Sequence, residues 1–137
     1  MNSRAQQLFR YLWAAPATLV GLLLAGIACA LGATVRIRHG VIEVAGGRLA
    51  SLAGSAPLSF RLLAITFGHV VVGSSHSVLA AEQAHEHVHV RQYERWGVLF
   101  FPLYLGSSAL QLIQGRHPYW HNAFERQAIQ VGSAVAR

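Results

Sequence analysis

The chain has no lysine, no aspartate and a single cysteine among its 137 residues. Charged residues make up 12 % of it, about half the share near 25 % that is usual in a soluble domain. Each shortage excludes something. One thiol, Cys29, can form neither an intrachain disulfide nor a cysteine-rich metal site; it lies in an apolar run and reads as a small core or lipid-facing residue. Without aspartate, the side-chain carboxylates are Glu43, Glu82, Glu86, Glu94 and Glu125, and any carboxylate chemistry must draw on these. Without lysine, every permanently charged cation is an arginine. The net charge is +6 and the isoelectric point about 10.8, which suits nucleic acid or an anionic membrane surface. No basic–aromatic module of a nucleic-acid binder is visible, so no nucleic-acid partner is expected. The 53 % hydrophobic content and mean hydropathy of +0.38 point to membrane lipid instead. The length predicts one folded domain.

Residues 11–35, YLWAAPATLVGLLLAGIACALGATV, carry no charge. About 20 apolar residues cross a bilayer as a helix, so residues 1–32 are expected to form an N-terminal membrane anchor, with Tyr11 and Trp13 at the interface. Pro16 falls in the first turns, where it is tolerated. The rival reading is a signal peptide, with Arg4 and Arg10 as its basic head and Ala28-Cys29-Ala30 as its cleavage site. Residues 33–137 then form the domain. Residues 33–44 alternate in polarity and predict a hairpin turning at His39-Gly40. Residues 46–59, rich in Gly, Ser and Ala, read as a loop, and residues 60–72, FRLLAITFGHVVV, as a strand. Ser75 or Ser77 caps a helix that runs to Trp96 and stops at Gly97; Ala80 to Ala84 favour it, and Arg91 and Arg95 suit its C-terminal end. Residues 98–114 form a second uncharged run, at about 1.5 Å per residue barely long enough to span and interrupted by Pro102 and Gly106. A last helix starts at Asn122. The expected class is α+β: an N-terminal transmembrane helix, a small antiparallel sheet, a motif helix, an apolar hairpin or helix dipping into the membrane, and a C-terminal helix.

The stretch AHEHVHVRQYERWG, residues 84–97, holds the densest chemistry. On a helix, His85 and His89 share one face and His87 points elsewhere. His85-Glu86-His87-Val88-His89 is H-E-x-x-H, a zinc-site pattern when helical: residues one turn apart bring two imidazole nitrogens to one ion at about 2.0–2.1 Å. Glu86 lies beside the ion, placed to take a proton from a water molecule. A catalytic zinc needs a third protein ligand and an open position. The extension carrying a third His is absent, since Val90-Arg91-Gln92-Tyr93-Glu94 follows. Glu82 and Glu94 share the motif's own helix, where three ligands give poor tetrahedral geometry; they read as solvated or paired with Arg91 or Arg95. Glu125, on a separate helix, is the best third ligand, and its other reading is a capping box with Asn122. His69 reads as a core or surface histidine, Tyr93 as packing, and Arg91, Arg95 and Trp96 as interfacial anchors.

H-E-x-x-H at 85–89, followed by Glu125-x-x-Ala128 on a later helix, resembles the gluzincin zinc metallopeptidases. It is nearest to the minimal ones and to the membrane-bound group of CAAX-processing and heat-shock endopeptidases. The stretch from His85 to Gly97 also resembles small bacterial membrane proteins of unassigned function. The resemblance covers about residues 65–130. It implies Zn2+ held by His85, His89 and Glu125, with Glu86 as general base, and Tyr119, His121 or His117 as an oxyanion-stabilising or supporting group. It implies hydrolysis of a membrane-associated or extended peptide, or of a membrane protein, at a bacterial inner membrane. In that family an edge strand before the motif helix binds the substrate backbone; residues 65–72, ITFGHVVV, look like that strand and would capture peptide by strand addition. Where the family carries an acidic residue one turn after the ligand Glu, this chain has Ile129. Two rival functions stand beside this one: a non-catalytic metal- or haem-binding membrane protein, and an interaction subunit with a degenerate site.

Topology constrains the site. If residues 98–114 crossed a bilayer, His85 and Glu125 would end about 30 Å apart on opposite sides. A shared metal requires that segment to turn back, so it is expected to dip into the membrane under cover of protein. Arg36, Arg38, Arg48, Arg61, Arg91 and Arg95 follow the first anchor while Arg4 and Arg10 precede it, which leans the site to the cytoplasmic face. The sequence leaves the oligomeric state open.

Overall fold

The computed structural model describes residues 3–55 and 64–135. Helix α1 (Ser3–Ala30) is followed by strands β1 (Thr34–Arg38) and β2 (Val41–Ala45), helix α2 (Arg48–Ser55), strands β3 (Ala64–Phe67) and β4 (Val70–Gly73), and helices α3 (His76–Ala81), α4 (Gln83–Trp96), α5 (Phe100–Ile113) and α6 (Ala123–Val135). A 3-10 turn, Gly97–Leu99, joins α4 to α5. The class is α+β.

The sheet has the order β1-β2-β4-β3. The predicted hairpin is β1–β2, paired from Thr34↔Ala45 to Arg38↔Val41. Its turn residues His39 and Gly40 have φ of 51° and 75°, the left-handed geometry that a two-residue hairpin loop needs. The predicted strand over 60–72 is instead a second hairpin, β3–β4, turned at Gly68 and His69; residues 60–63 of that prediction lie outside the described residues. The sheet is mixed rather than antiparallel, because β2 and β4 pair in parallel, Ile42↔Val70 to Ala45↔Gly73. These two strands are sequentially remote, joined through α2 and β3, which gives the chain length to return in the same direction.

Both central strands are covered on both faces, and their apolar runs, VIEVA and VVVG, fit that position. Val44 and Val70, with Ile42 and Val72, pack against Ala25 and Ala28 of α1. On the other side, Val41, Ala45 and Val71 pack against Leu79 of α3 and Val90 of α4. The molecule is therefore layered, with α1 on one face of the sheet and α3–α4 on the other. Helix α1 meets the sheet through the small buried residues Gly21, Ala25 and Ala28, while buried Ala14 packs with Tyr93 of α4 and Phe100 of α5.

Three local expectations are corrected. Within the predicted loop 46–59, Arg48–Ser55 is helical; Gly46 and Gly47 make the turn, and Gly47 packs so closely on Gly32 that a Cβ would sit 2.4 Å from its carbonyl carbon. Residues 56–59 of that loop lie outside the described residues. The single helix from Ser75 to Trp96 is two helices broken at Glu82 (φ −94°, ψ 5°), with Ser75 capping the first through Val78 N–H at 3.2 Å. Helix α5 runs through Pro102 and Gly106 without interruption, since Pro102 sits in the first turn, where no N–H is needed. The stop at Gly97 is as expected: φ is 57°, and a Cβ there would strike the Trp13 ring at 2.6 Å.

The chain reverses directly after α5. Ser108 Oγ donates to Pro118 O at 3.0 Å, Asn122 Nδ2 donates to Tyr104 O at 2.9 Å and to Ser108 Oγ at 2.7 Å, and Ala123 N donates to Ser107 Oγ at 3.1 Å. These bonds lay residues 118–123 along the middle of α5 and aim α6 back at α4. Among the described residues, two helical stretches are long and apolar enough to cross a membrane, Ser3–Ala30 and Gln83–Ile113; the uncharged part of the second is α5 and the turn before it.

Candidate metal centre

Helix α4 places His85 and His89 one turn apart, and α6 brings Glu125 across them. His85 Nε2 lies 3.3 Å from His89 Nε2 and 3.1 Å from Glu125 Oε2; His89 Nε2 lies 3.3 Å from Glu125 Oε1. Two ligands bonded at about 2.0–2.1 Å and separated by a tetrahedral angle stand about 3.3 Å apart; the two imidazole nitrogens have that spacing, and the Glu125 carboxylate lies across them with one oxygen toward each. Glu125 Oε2 is buried and takes no hydrogen bond, although His85 Nε2 is in reach. Among the described residues, His85, His89 and Glu125 form the group able to hold a metal ion. The two readings of Glu125 separate here. Asn122 Oδ1 caps α6, accepting from Phe124 N at 2.9 Å and Glu125 N at 3.4 Å, while the Glu125 carboxylate turns to the histidines.

The histidine tautomer follows from a neighbour that the sequence reading passed over. Gln92 Nε2 donates to Phe124 O at 3.1 Å and to Gln127 Oε1 at 2.8 Å. A carbonyl only accepts, so the amide orientation is settled. Gln92 Oε1 then accepts from His89 Nδ1 at 2.8 Å. With its proton on Nδ1, His89 presents a lone pair at Nε2, as a ligand must. Replacing Gln92 by Leu is expected to weaken metal binding at this cluster by about 10- to 100-fold, the usual cost of losing a ligand's supporting partner. Titration against a chelator of known affinity measures it, and unchanged affinity would remove Gln92 from this role.

Two more residues complete the site. Tyr104 Oη donates to Glu125 Oε1 at 2.6 Å, orienting the carboxylate. Thr66 Oγ1 on β3 donates to Glu86 Oε2 at 2.6 Å, fixing the buried Glu86 carboxylate beside the cluster. Neither partner could be found by spacing, because each hydrogen bond closes a long loop of chain.

The other predicted groups fall as follows. Tyr119 is exposed at its edge, and the pKa of its hydroxyl is raised by partial burial and then by the Glu125 and Glu86 carboxylates. His117 Nδ1 accepts from Tyr119 N at 3.1 Å and Trp120 N at 3.2 Å, shaping the turn. His121 is exposed. His69 is buried and pairs with Glu94 at 2.9 Å, correcting the expectation that Glu94 is solvated or paired with arginine. His87 lies 4.0 Å from Glu43 Oε1, away from the cluster. Tyr93 packs on Phe100 with ring centroids 4.3 Å apart, and the Arg95 guanidinium lies over Trp96 at 5.5 Å. Of residues 65–72, β3 alone lies at a sheet edge; β4 is paired on both sides.

Electrostatics couple the cluster to pH. Burial pushes Glu86 above the ordinary carboxylate range, against the pull of His89, Thr66 and His85. For His89, burial favours the neutral ring, but the hydrogen bond and charge of Glu125 outweigh it and raise the pKa. For Glu125, burial is outweighed by His85 and His89, and the pKa falls. In the metal-free chain the Glu125 contribution to stability is complete above its ordinary 4.5 and is lost as pH falls through its lowered value. The His89 contribution is complete below its ordinary 6.5 and is lost as pH rises through its raised value. The Glu86 contribution is complete below 4.5 and is lost on the way up. Metal-free stability is therefore expected to peak in mild acid. A metal ion bound here would compete with the His89 proton, so the stability added by zinc, the metal tested, should grow with pH. Thermal melts with and without zinc across pH test this; a zinc increment that does not vary with pH contradicts it.

Comparison of the chain with protein-family models, curated proteins and solved structures finds no match.

Proposed function

We propose that the protein is a membrane-attached zinc peptidase of the gluzincin kind. The observation that carries this is the convergence of His85 Nε2, His89 Nε2 and the Glu125 carboxylate, the two nitrogens 3.3 Å apart with a carboxylate oxygen facing each, and the Glu86 carboxylate held beside them by Thr66. Bound zinc would supply a Lewis acid for a peptide carbonyl and lower the pKa of a water molecule. The chain supplies the rest. Glu86, its affinity for protons raised by burial, accepts a proton and passes it to the leaving amine. The Tyr119 hydroxyl, kept protonated, donates to a developing oxyanion. Edge strand β3, whose Thr66 touches Glu86, offers its backbone to an extended peptide.

Haem fits this geometry poorly. Two axial histidines stand on opposite sides of an iron with the macrocycle between them, whereas these two nitrogens share one helix face 3.3 Å apart, with Glu125 across both. Attachment to a membrane is supported by the two apolar helical stretches and by the surplus of arginine.

The deciding measurement is zinc per chain in purified wild type and His89→Ala, by elemental analysis. Near one zinc in wild type and none in the variant is expected. A wild type that takes up no zinc after reconstitution would overturn the proposal.

A further inference from the structure

Helix α1 has two faces. Ala14, Gly21, Ala25 and Ala28 are buried. Leu8, Leu12, Leu19, Leu23 and Ile27, spaced by four and seven residues, line the opposite face, and each is more than 60 % exposed. At about 100° per residue the two stripes point in opposite directions. A helix that is apolar all round must be covered on both sides. The domain covers one.

That inner face is fastened along its length. Tyr11 Oη donates to Gly40 O at 2.9 Å, Trp13 Nε1 donates to Arg95 O at 3.2 Å, and Thr18 Oγ1 accepts from His69 N at 3.1 Å. Further on, Gly21 abuts Val70 and Phe67 O, and Ala28 packs with Val44 and Val70. From Tyr11 to Ala28 is about 26 Å of helix at ~1.5 Å per residue, most of the ~30 Å hydrocarbon thickness. If α1 crossed the bilayer, everything fastened to it would lie at hydrocarbon depth. That includes the His39-Gly40 turn beside Arg38, the His69–Glu94 pair, Arg95 and the unpaired outer edge of β1, all five of whose residues are exposed. Lipid does not accommodate open sheet edges or exposed charges.

The surface beside α1 indicates the alternative. Val35 and Ile37 pair across to Val44 and Ile42, so they stand on the α1 side of the sheet, 52 % and 74 % exposed. Arg36 and Arg38, one residue out of phase, stand on the other side. Phe9 and Trp13 stack at the start of the helix with ring centroids 6.2 Å apart, where aromatic rings suit a headgroup boundary.

We infer that α1 lies in the plane of a bilayer surface rather than across it, with its leucine face and Val35 and Ile37 immersed at the headgroup–acyl boundary. The occupant of this face is an anionic lipid surface, which the net charge of +6 complements. This rests on the membrane attachment proposed above, and it puts both ends of α1 and the metal cluster on one side of the membrane.

Cys29→Ala removes the only thiol. In that background, Gln6→Cys and Thr34→Cys, both at exposed positions, mark the two ends of α1. Sealed membranes carrying each variant are treated with a membrane-impermeant maleimide before and after permeabilisation. Both sites are expected to label from the same side; labelling from opposite sides overturns the inference while leaving attachment intact. Separately, purified full-length protein is floated with phosphatidylcholine vesicles, with and without phosphatidylglycerol. Stronger flotation with phosphatidylglycerol is expected, lost in Leu12→Glu/Leu19→Glu/Leu23→Glu with zinc content unchanged, which shows the variant folded. Wild type that never floats overturns the attachment as well. Non-floating protein that elutes as a dimer, split by the triple variant, assigns the face to a second copy and overturns the lipid assignment.

Discussion

If the proposed zinc peptidase reading holds, Glu86→Gln is expected to keep the metal and lower peptide hydrolysis by about 10²- to 10⁴-fold, the usual contribution of a positioned general base. The change is nearly isosteric, and the amide oxygen can still accept from Thr66 Oγ1, which sits 2.6 Å from the native carboxylate. The ligand atoms of His85, His89 and Glu125 are not altered. What is lost is the ability to accept a proton, so kcat should fall while zinc per chain and melting temperature hold. Thr66→Val is the companion variant: it releases Glu86 from its anchor and removes one influence that lowers its pKa, so the acid limb of the pH–rate profile should move upward. If Glu86→Gln retained full activity, Glu86 would not be the base. If it lost its zinc, the loss of hydrolysis would report on the ligands instead.

Gly21→Leu is expected to lower the melting temperature by about 5–10 °C. Overpacking a tight contact costs about 1–3 kcal/mol, and a chain of this size loses about 3–4 °C per kcal/mol. A Cβ at Gly21 would stand 2.7 Å from Val70 Cβ and 2.8 Å from Phe67 O. One obstacle is a backbone carbonyl in a hairpin and the other a buried central-strand residue, so neither swings aside. The helix must lift, partly uncovering Val44 and Val70. Gly26→Leu is the control, because nothing lies within 4 Å of a Cβ built there. Circular-dichroism melts compare the two. Equal melting temperatures would mean that α1 is not packed on the sheet as described.

The metal ligands were partly legible before the fold. The interval from His85 to His89 is set by the helical repeat, so the helix alone juxtaposes them. Glu125 could be proposed by pattern and by elimination, since no aspartate competes and the other glutamates near the motif share its helix. Whether it reached the histidines depended on where α5 sent the chain. That was decided by Ser107, Ser108 and Asn122, whose hydrogen bonds fold residues 118–123 back along α5. The groups that tune the site were not legible. Gln92 acts through Phe124 and Gln127, Thr66 through Glu86, and Tyr104 through Glu125. Polar side chains of this kind carry no periodic signal.

The fold divides in the same way. Local polarity determined the β1–β2 hairpin, the stop at Gly97 and the long apolar α1, because each depends on residues a few positions apart. Glycine-rich composition concealed α2, whose two leading glycines serve a close approach to Gly32 rather than a loop. Strand alternation marks a strand but not its distant neighbour, so the parallel pairing of β2 with β4 emerged only in three dimensions. The apolar run of α1 determined by itself that this helix must avoid water on every side. Tertiary structure decided which side the protein itself covers: the small residues at 14, 21, 25 and 28 allow the sheet and α4 to approach one face closely, which leaves the leucine face exposed.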